Sequence, residues 1–285
     1  MRILLAVDDQ TYSAAIINEA AKLSANTWAD VTILTVQKGK GDLDPQKAES
    51  LRTYKQGFLD LINGDGFPYS WPAGKEEFRK TADGWLGTQS SRDGSKSCAL
   101  KVRSGDSCKE IINEAKEQDY DLVIIGASEV DCQWQGEALN LPQRVAEDAG
   151  CSVLVIKKPH ASNRIIGCLD QSQISQDSLE MINQLVTQHD ADLQIIGLTG
   201  AKGLSGKGDI EGKMGDILTY YTARKINAWI KLVENNDLEE YVAKASKEAI
   251  IAVWMGKKSV FGKLFSQNLV EKLVTSSQST VLILR

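Results

Sequence analysis

Short apolar runs alternate with stretches of helical periodicity along the whole chain. The apolar runs of the first half lack a period-two alternation, and continuous runs are typical of strands that are covered on both faces. These runs lie at residues 3–7, 31–36, 99–103, 122–126 and 152–157. Between them, residues 13–24 and 106–118 place apolar side chains at helical spacing. The alternation predicts an α/β protein built around a parallel sheet.

The second half of the chain repeats the plan of the first. Arg2 and Asp8 of the opening strand correspond to Arg164 and Asp170 of a later strand. A repeat of this length is a domain and not a solenoid unit. The sequence therefore predicts two copies of one fold, at residues 1–158 and 162–285. The second-half strands are predicted at residues 164–169, 193–198, 228–233, 249–255 and 280–285.

The connection between the two halves is short and contains Pro159. A linker of this kind implies domains that touch each other. We expect them to pack as an intramolecular pseudo-dimer with residues 152–157 antiparallel to residues 280–285, because an unpaired apolar edge strand invites aggregation. A homodimer of the whole chain is a further assembly that the sequence leaves open.

The first half carries an enlarged connection at about residues 37–97. Residues 50–61 within it have a helical pattern. The aromatic residues beyond this pattern include Phe67, Tyr69, Trp71 and Trp85. Long inserts often serve as lids or partner surfaces, and aromatic side chains often anchor interfaces. The alternative is a solvated hairpin whose tryptophans cover one edge of the sheet.

Composition narrows the class of protein. A length of 285 residues with 42% hydrophobic and 25% charged residues fits two globular domains. The net charge of −5 argues against a nucleic-acid-binding surface. No apolar run reaches the roughly 20 residues that span a bilayer, and the start shows no signal-peptide pattern. The five cysteines lack both Cys-x-x-Cys and a metal-ligand spacing. We therefore expect a cytoplasmic protein with reduced thiols that neither binds nucleic acid nor inserts into a membrane.

Three segments of the first half are informative: Val7-Asp8 at the end of the first strand, Ser104-Gly105-Asp106 with the strand that ends at Gly126, and the closing strand at residues 151–156. Together they resemble the universal stress protein family. The second half shows the same plan in Leu169-Asp170, residues 250–256 and residues 280–285. The resemblance covers nearly the whole chain outside the enlarged connection. It implies two tandem Rossmann-like domains of the adenine nucleotide α-hydrolase type, each a five-stranded parallel sheet flanked by helices.

Many members of this family bind ATP through Gly-x2-Gly-x9-Gly-Ser/Thr after the fourth strand, where glycines let backbone amides approach the phosphates. The resemblance therefore implies an adenine nucleotide, ATP or AMP, as the cofactor. Neither half completes the pattern. In the first half, the second glycine falls on Glu129 and the final pair on Leu139-Asn140. In the second half, Gly256 is followed by Ser259, and the final pair falls on Gln267-Asn268.

Charge favours the second of these two loops for a phosphate. Lys257, Lys258 and Lys263 make it cationic, whereas the first carries Glu129. The Gly- and Lys-rich residues 200–213 also invite a phosphate-loop interpretation, but they lack Gly-x-x-x-x-Gly-Lys-Ser/Thr. For these residues we predict a flexible loop.

A bound nucleotide is expected at the carboxyl end of a half-sheet, where ligands of open α/β sheets lie. The first-half candidates are Asp8, Val36, Gly126, Ser128 and Asn140. The second-half candidates are Asp170, Gly256, Lys257, Ser259, Gln267 and Asn268. Structural alternatives stay open, because Asp8 and Asp170 could cap the turn after their strand and Asn140 and Asn268 could cap the last helix.

Catalytic chemistry finds little support in the sequence. His160 and His189 are the only histidines, and neither Gly-x-Ser-x-Gly nor Ser-Gly-Gly-x-Asp-Ser is present. We therefore expect no catalytic residues and a regulator that acts through a protein partner. It is either nucleotide-responsive or a ligand-free interaction module. For the second alternative, Gly126-Ala127-Ser128 and Asn140-Leu141-Pro142-Gln143 are loosely similar to domains associated with cation antiporters or amino-acid permeases.

Overall fold

The protein consists of two compact α/β units, Met1–Ile156 and Lys157–Arg285. The computed structural model describes residues 1–10, 12–39, 41–63, 68–69, 74–88, 96–127, 141–157, 163–169, 175–199, 207–234, 236–255, 269–277 and 279–285. Each unit has a mostly parallel sheet with helices between its strands. The predicted fold class, two tandem Rossmann-like domains, is confirmed.

The first unit alternates strands and helices as the sequence pattern predicts. Its elements are β1 (Arg2–Ala6), α1 (Ser13–Thr27), β2 (Asp30–Gln37), α2 (Pro45–Ile62), β3 (Glu77–Thr81), β4 (Gly84–Thr88), β5 (Cys98–Ser104), α3 (Ser107–Glu117), β6 (Leu122–Gly126), α4 (Leu141–Asp148) and β7 (Ser152–Ile156). The strand order is β7-β6-β1-β2-β5-β4-β3. The strands from β7 to β5 pair in parallel. Among the described residues this sheet has seven strands instead of the predicted five, because a hairpin extends it.

The second unit follows the same plan without the hairpin. Its elements are β8 (Arg164–Cys168), α5 (Gln176–His189), β9 (Asp192–Thr199), α6 (Lys207–Thr222), β10 (Ala228–Glu234), α7 (Leu238–Ala245), β11 (Ile250–Trp254), α8 (Leu269–Ser276) and β12 (Val281–Leu284). Its strands follow the order β10-β9-β8-β11-β12, and all of them are parallel.

Helix α6 corrects the prediction of a flexible loop at residues 200–213. Residues 200–206 lie outside the described residues, but the helix begins at Lys207. Met214, Ile217 and Tyr221 are buried at spacings of three and four along it. Burial of this apolar face outweighs the poor helix propensity of the glycines that suggested a loop.

The strands at the centre of each sheet are buried on both faces. The side chains from Ile3 to Ala6 of β1 are fully buried, as are nearly all those of β6 and β7. Helix α1 covers one face of the sheet with Ile16, Ile17 and Ala20. Each such Ile or Leu side chain contributes about 1.5–3 kcal/mol to folding. The continuous apolar runs of the sequence therefore reflect strands enclosed between helical layers.

The enlarged connection is an integral part of the first unit. Strands β3 and β4 form an antiparallel hairpin, and β4 adds to the sheet beside β5. At Gly84, where φ is +149°, a Cβ atom would lie 2.0 Å from the carbonyl oxygen of Val102. Only glycine therefore permits this approach of β4 to β5. The hairpin therefore covers the β5 edge of the sheet by strand pairing.

The aromatic residues of the connection do not form one exposed surface. Tyr69 is only 3% exposed, and its hydroxyl donates a hydrogen bond to the carbonyl oxygen of Ala29 at 2.5 Å. Its ring packs edge-to-face on Phe58 with centroids 5.5 Å apart. The expectation that Tyr69 anchors a partner is therefore wrong, because it belongs to the core. Trp85 is half-buried on β4, whereas Phe67 and Trp71 lie outside the described residues.

Buried charges fix the connection and α3 to the sheet. Lys55 Nζ on α2 lies 2.9 Å from Glu76 Oε2, next to β3, and both side chains are at most 5% exposed. Arg103 of β5 contacts carboxylates along α3 at 2.7–2.9 Å, from Glu110, Glu114 and Glu117. Such pairs hold their elements in one arrangement, since a buried charge without its partner is strongly unfavourable.

Cysteine thiols of both units are buried. Burial raises the pKa of Cys98 and of Cys168 to about 12, so both stay protonated at neutral pH. Cys132 lies outside the described residues.

In the part of the chain that the structure describes, none of the helices is both long enough and apolar enough to cross a membrane.

Lys55→Met should destabilise the first unit by about 3–5 kcal/mol, because Glu76 would remain as an uncompensated buried carboxylate. Lys75→Met is the matched control, since Lys75 pairs with Glu49 through a side chain that is 70% exposed. That change should cost no more than about 1 kcal/mol. Chemical denaturation of the full chain measures both, and equal losses would contradict the importance of the buried pair.

Candidate functional site

The order of strands in the first sheet reverses beside β1. From β1 the chain runs outward through β2 and β5, and it then places β6 on the opposite side of β1. Ligands of open parallel α/β sheets lie beyond the carboxyl ends of the strands at such a reversal. Asp8 follows the end of β1, and Gly126 ends β6. We call the region between Asp8 and Gly126 the switch-point site.

Asp8 is almost completely buried and is held by several donors. Only 4% of the surface of Asp8 is exposed to solvent. The Tyr12 hydroxyl donates to Oδ2 at 2.5 Å, and the backbone N–H of Gln10 donates to Oδ1 at 3.1 Å. The Ser13 hydroxyl lies 2.8 Å from the Asp8 carbonyl oxygen and 3.2 Å from Oδ1. Asp8 thus holds the turn that leads from β1 into α1, as the capping alternative describes.

Helix α2 reaches the same turn from the other side. The Tyr54 hydroxyl donates to the carbonyl oxygen of Asp8 at 2.8 Å. Nearby, Lys47 Nζ lies 3.1 Å from Oδ2 of Asp9, whose side chain is more exposed than that of Asp8. The neighbouring carboxylates therefore have different surroundings: Asp8 faces inward, and Asp9 forms a surface ion pair.

Tyr12 also covers Gly126. A Cβ atom added to Gly126 would lie 2.3 Å from Cδ2 of Tyr12 and 3.0 Å from Cδ1 of Ile16. The ring therefore rests on the α-carbon of Gly126, and a larger residue there would collide with it. A ligand that approached the Gly126 backbone from the α1 face would have to take the place of this ring. Among the described residues, Tyr12 and Ile16 therefore occupy the space beside the α-carbon of Gly126.

Burial sets the electrostatics of Asp8. It raises the pKa of this carboxyl above its ordinary value of 3.8, although hydrogen bonds from Tyr12, Gln10 and Ser13 and the charge of Lys47 act in the opposite direction. Burial also raises the pKa of the Tyr54 hydroxyl above 10.0, so Tyr54 stays a donor at neutral pH. The poorly solvated carboxylate therefore receives its phenol donor from Tyr12, whereas the Tyr54 phenol donates to the backbone of the turn.

Of the remaining candidate residues, only Val36 lies among the residues that the structure describes. Val36 is buried near the end of β2. The register that pairs Ala6 with Leu34 puts it level with Asp8, at the carboxyl end of the strands. The candidates outside the described residues are Ser128, Asn140, Asp170, Gly256, Lys257, Ser259, Gln267 and Asn268. In the second unit the strand order likewise reverses between β8 and β11. In sequence, Asp170 and Gly256 each follow the end of one of these strands by two residues.

Sequence reasoning missed Tyr12 and Tyr54. Tyr12 stands four residues after Asp8 and directly before α1, a spacing that could have suggested contact with the carboxylate. Its contact with Gly126 depends on the packing of α1 against β6, which no local pattern reveals. Tyr54 lies on α2, whose position relative to Asp8 is decided by the fold alone.

Comparisons with known proteins agree with this architecture. The parallel sheets and their reversals define each unit as a Rossmann-like domain. The model of the universal stress protein family matches residues 1–157, more than half of the chain. The chain belongs to the universal stress protein family. Among curated proteins, no sequence matches at a significant level.

Solved structures share the fold across the whole chain. A universal stress protein from Archaeoglobus fulgidus DSM 4304 covers 100% of this chain and 96% of its own, with 15% identity and a TM-score of 0.62. A functionally unknown protein from Pseudomonas aeruginosa PAO1 covers 99% of this chain and 92% of its own, with 15% identity and a TM-score of 0.58. At these identities the likeness concerns the fold alone.

Replacing Asp8 by asparagine should change how stability depends on pH. Because the pKa of Asp8 is raised on folding, the native state of the parent binds this proton at a higher pH than the unfolded state does. Acidification through the range just above 3.8 should therefore stabilise the parent relative to Asp8→Asn. Below 3.8 the difference should become constant, since both states are protonated.

Unfolding free energies of the two proteins, measured at a series of pH values, test this expectation. Their difference cancels the groups common to both, including Glu49 and Glu117, whose pKa values are lowered by nearby cations. A difference that changes in the opposite direction would mean that hydrogen bonding, and not burial, dominates at Asp8.

Proposed function

We propose that this universal stress protein is a nucleotide-responsive regulator. It binds an adenine nucleotide, ATP or AMP, at the carboxyl end of a half-sheet and acts through a protein partner. The observation that carries the proposal is the position of Asp8 and Gly126 on the two strands that flank the reversal of the first sheet. That position is where open α/β sheets receive ligands.

The chemistry of this position suits the nucleoside end of the ligand. Asp8 offers carboxylate oxygens to donors, such as the ribose hydroxyls or the amino group of adenine. A phosphate beside the same carboxylate would meet like charge. The phosphates would instead lie along the loop after β6 or β11, where glycines permit close backbone approach.

The second unit is the stronger candidate for the phosphates. Its loop after β11 contains Lys257, Lys258 and Lys263, whereas the loop after β6 contains Glu129 and Asp131. Lysine side chains attract a triphosphate, and carboxylates repel it. In the first unit, Tyr12 also covers the approach to Gly126. Nucleotide should therefore bind first, or more tightly, in the second unit.

Denaturation of the purified chain, followed by mass analysis of the released small molecules, should reveal a bound adenine nucleotide. Calorimetric titration of ATP and AMP should then show a larger loss of affinity for Asp170→Ala than for Asp8→Ala. Circular dichroism of both variants controls for folding. Equal affinity in the parent and both variants would contradict the site assignment, and absence of binding in all three would contradict nucleotide binding itself.

The proposal includes no turnover. Burial and hydrogen bonding engage Asp8 within its turn, and the raised pKa values of Cys98 and Cys168 leave these thiols poor nucleophiles. Purified protein incubated with ATP should therefore form no ADP above the level of Asp8→Ala and Asp170→Ala. Hydrolysis in the parent that disappears in either variant would identify an enzyme instead.

The second candidate function is a ligand-free interaction module. It is favoured by one observation: Tyr12 already fills the switch-point site and satisfies Asp8. In that case the turn would serve only to hold β1 and α1, and a cation antiporter or amino-acid permease would be the class of partner expected. The titrations separate the two candidates, because only the first requires affinity for adenine nucleotides.

A further inference from the structure

We infer that Tyr12 is a gate on the switch-point site of the first unit. Its ring and hydroxyl hold the two positions that a nucleotide would use, Gly126 and Asp8, and binding requires the side chain to swing away. This inference rests on the proposed function, because it concerns how a nucleotide gains access to that site.

Two contacts between described residues hold the gate closed. The hydroxyl donates to Oδ2 of Asp8 at 2.5 Å, and the ring lies directly over the α-carbon of Gly126. One side chain therefore bridges the ends of β1 and β6. A ligand that contacts Asp8 and the Gly126 backbone from the α1 face must displace both contacts together.

Tyr12 is placed where it can move without unfolding the unit. It is half-buried, and it precedes the first residue of α1, Ser13. Rotation about its side-chain bonds breaks no hydrogen bond of the helix backbone. The side chain can therefore leave the site while the backbone of α1 keeps its hydrogen bonds.

The turn keeps its shape when the gate opens. Gln10 and Ser13 bond to Oδ1 and the backbone of Asp8, and Tyr54 donates to the Asp8 carbonyl oxygen. Tyr12 is the donor that the described residues supply to Oδ2. Opening thus leaves one poorly solvated carboxylate oxygen in need of a donor, and a nucleoside hydroxyl or amino group supplies it.

Competition of this kind lowers the apparent affinity by the fraction of molecules whose gate is open. Tyr12→Phe removes the bond to Asp8 and keeps the ring, so it should tighten binding by about tenfold, as expected for a hydrogen bond to a charged group. Tyr12→Ala removes both contacts and should tighten binding further. Tyr54→Phe also removes a hydroxyl from the Asp8 turn but uncovers nothing over Gly126, and its affinity should stay within about twofold of the parent.

The experiment uses the full chain with Asp170→Ala as the common background, which weakens the second-unit site. ATP and AMP are titrated by calorimetry into this background and into the Tyr12→Phe, Tyr12→Ala and Tyr54→Phe variants, with circular dichroism to confirm folding. Tighter binding in the order Ala, Phe, parent supports the gate, as does binding that appears only in the Tyr12 variants. Tyr12→Phe keeps the packing on Gly126 and serves as the test if Tyr12→Ala fails to fold.

Three results would overturn the gate. Equal affinity in all variants would leave nucleotide binding intact and remove the role of Tyr12. Weaker binding in Tyr12→Ala would make Tyr12 part of the binding surface. If neither these variants nor the chain with Asp170 intact binds ATP or AMP, the proposed function fails and the gate fails with it.

Discussion

The hydrogen bonding of the buried Asp8 carboxylate is the constraint on which the carboxyl end of the first sheet depends. A carboxylate that is withdrawn from water needs donors, and the chain supplies them from Gln10, Tyr12 and Ser13 within one turn. These bonds set the path from β1 into α1. They also bring the Tyr12 ring to Gly126 at the end of β6. The hydrogen-bond requirement of this one carboxylate therefore determines the local structure at the strand ends where Rossmann-like folds bind ligands.

Buried charge organises the outer part of the same sheet. Lys55 and Glu76 join α2 to the segment before the hairpin, and Arg103 joins β5 to the carboxylates of α3. Hydrophobic burial supplies the drive to fold but specifies few unique contacts at an edge, whereas a desolvated ion pair tolerates little displacement. The enlarged connection is thus a structural extension of the sheet that completes its edge and buries Tyr69.

The family accounts for the fold of this chain, whereas the contacts of its own residues determine how accessible the strand reversal is. Membership in the universal stress protein family agrees with two α/β units and with the reversal that flanks Asp8. In the first unit, the residues at this reversal satisfy one another through Tyr12. Under the proposed function, an adenine nucleotide must compete with these internal contacts, so its affinity would depend on their strength as well as on its own contacts.

The sequence by itself determined the repeat, the α/β class and the approximate course of the parallel strands, because continuous apolar runs identify strands that are buried on both faces. It also predicted that Asp8 and Gly126 lie at the ends of β1 and β6, since both follow directly from strand boundaries.

Only the tertiary structure decided what these residues contact. Tyr12 meets Gly126, β4 pairs with β5, and Lys55 meets Glu76 because packing brings together residues that are distant along the chain. Helix α6 forms where glycines predicted a loop, since the burial of Met214, Ile217 and Tyr221 outweighs local propensity. Local patterns report which face of an element is buried, whereas the partner on that face is chosen by the whole fold.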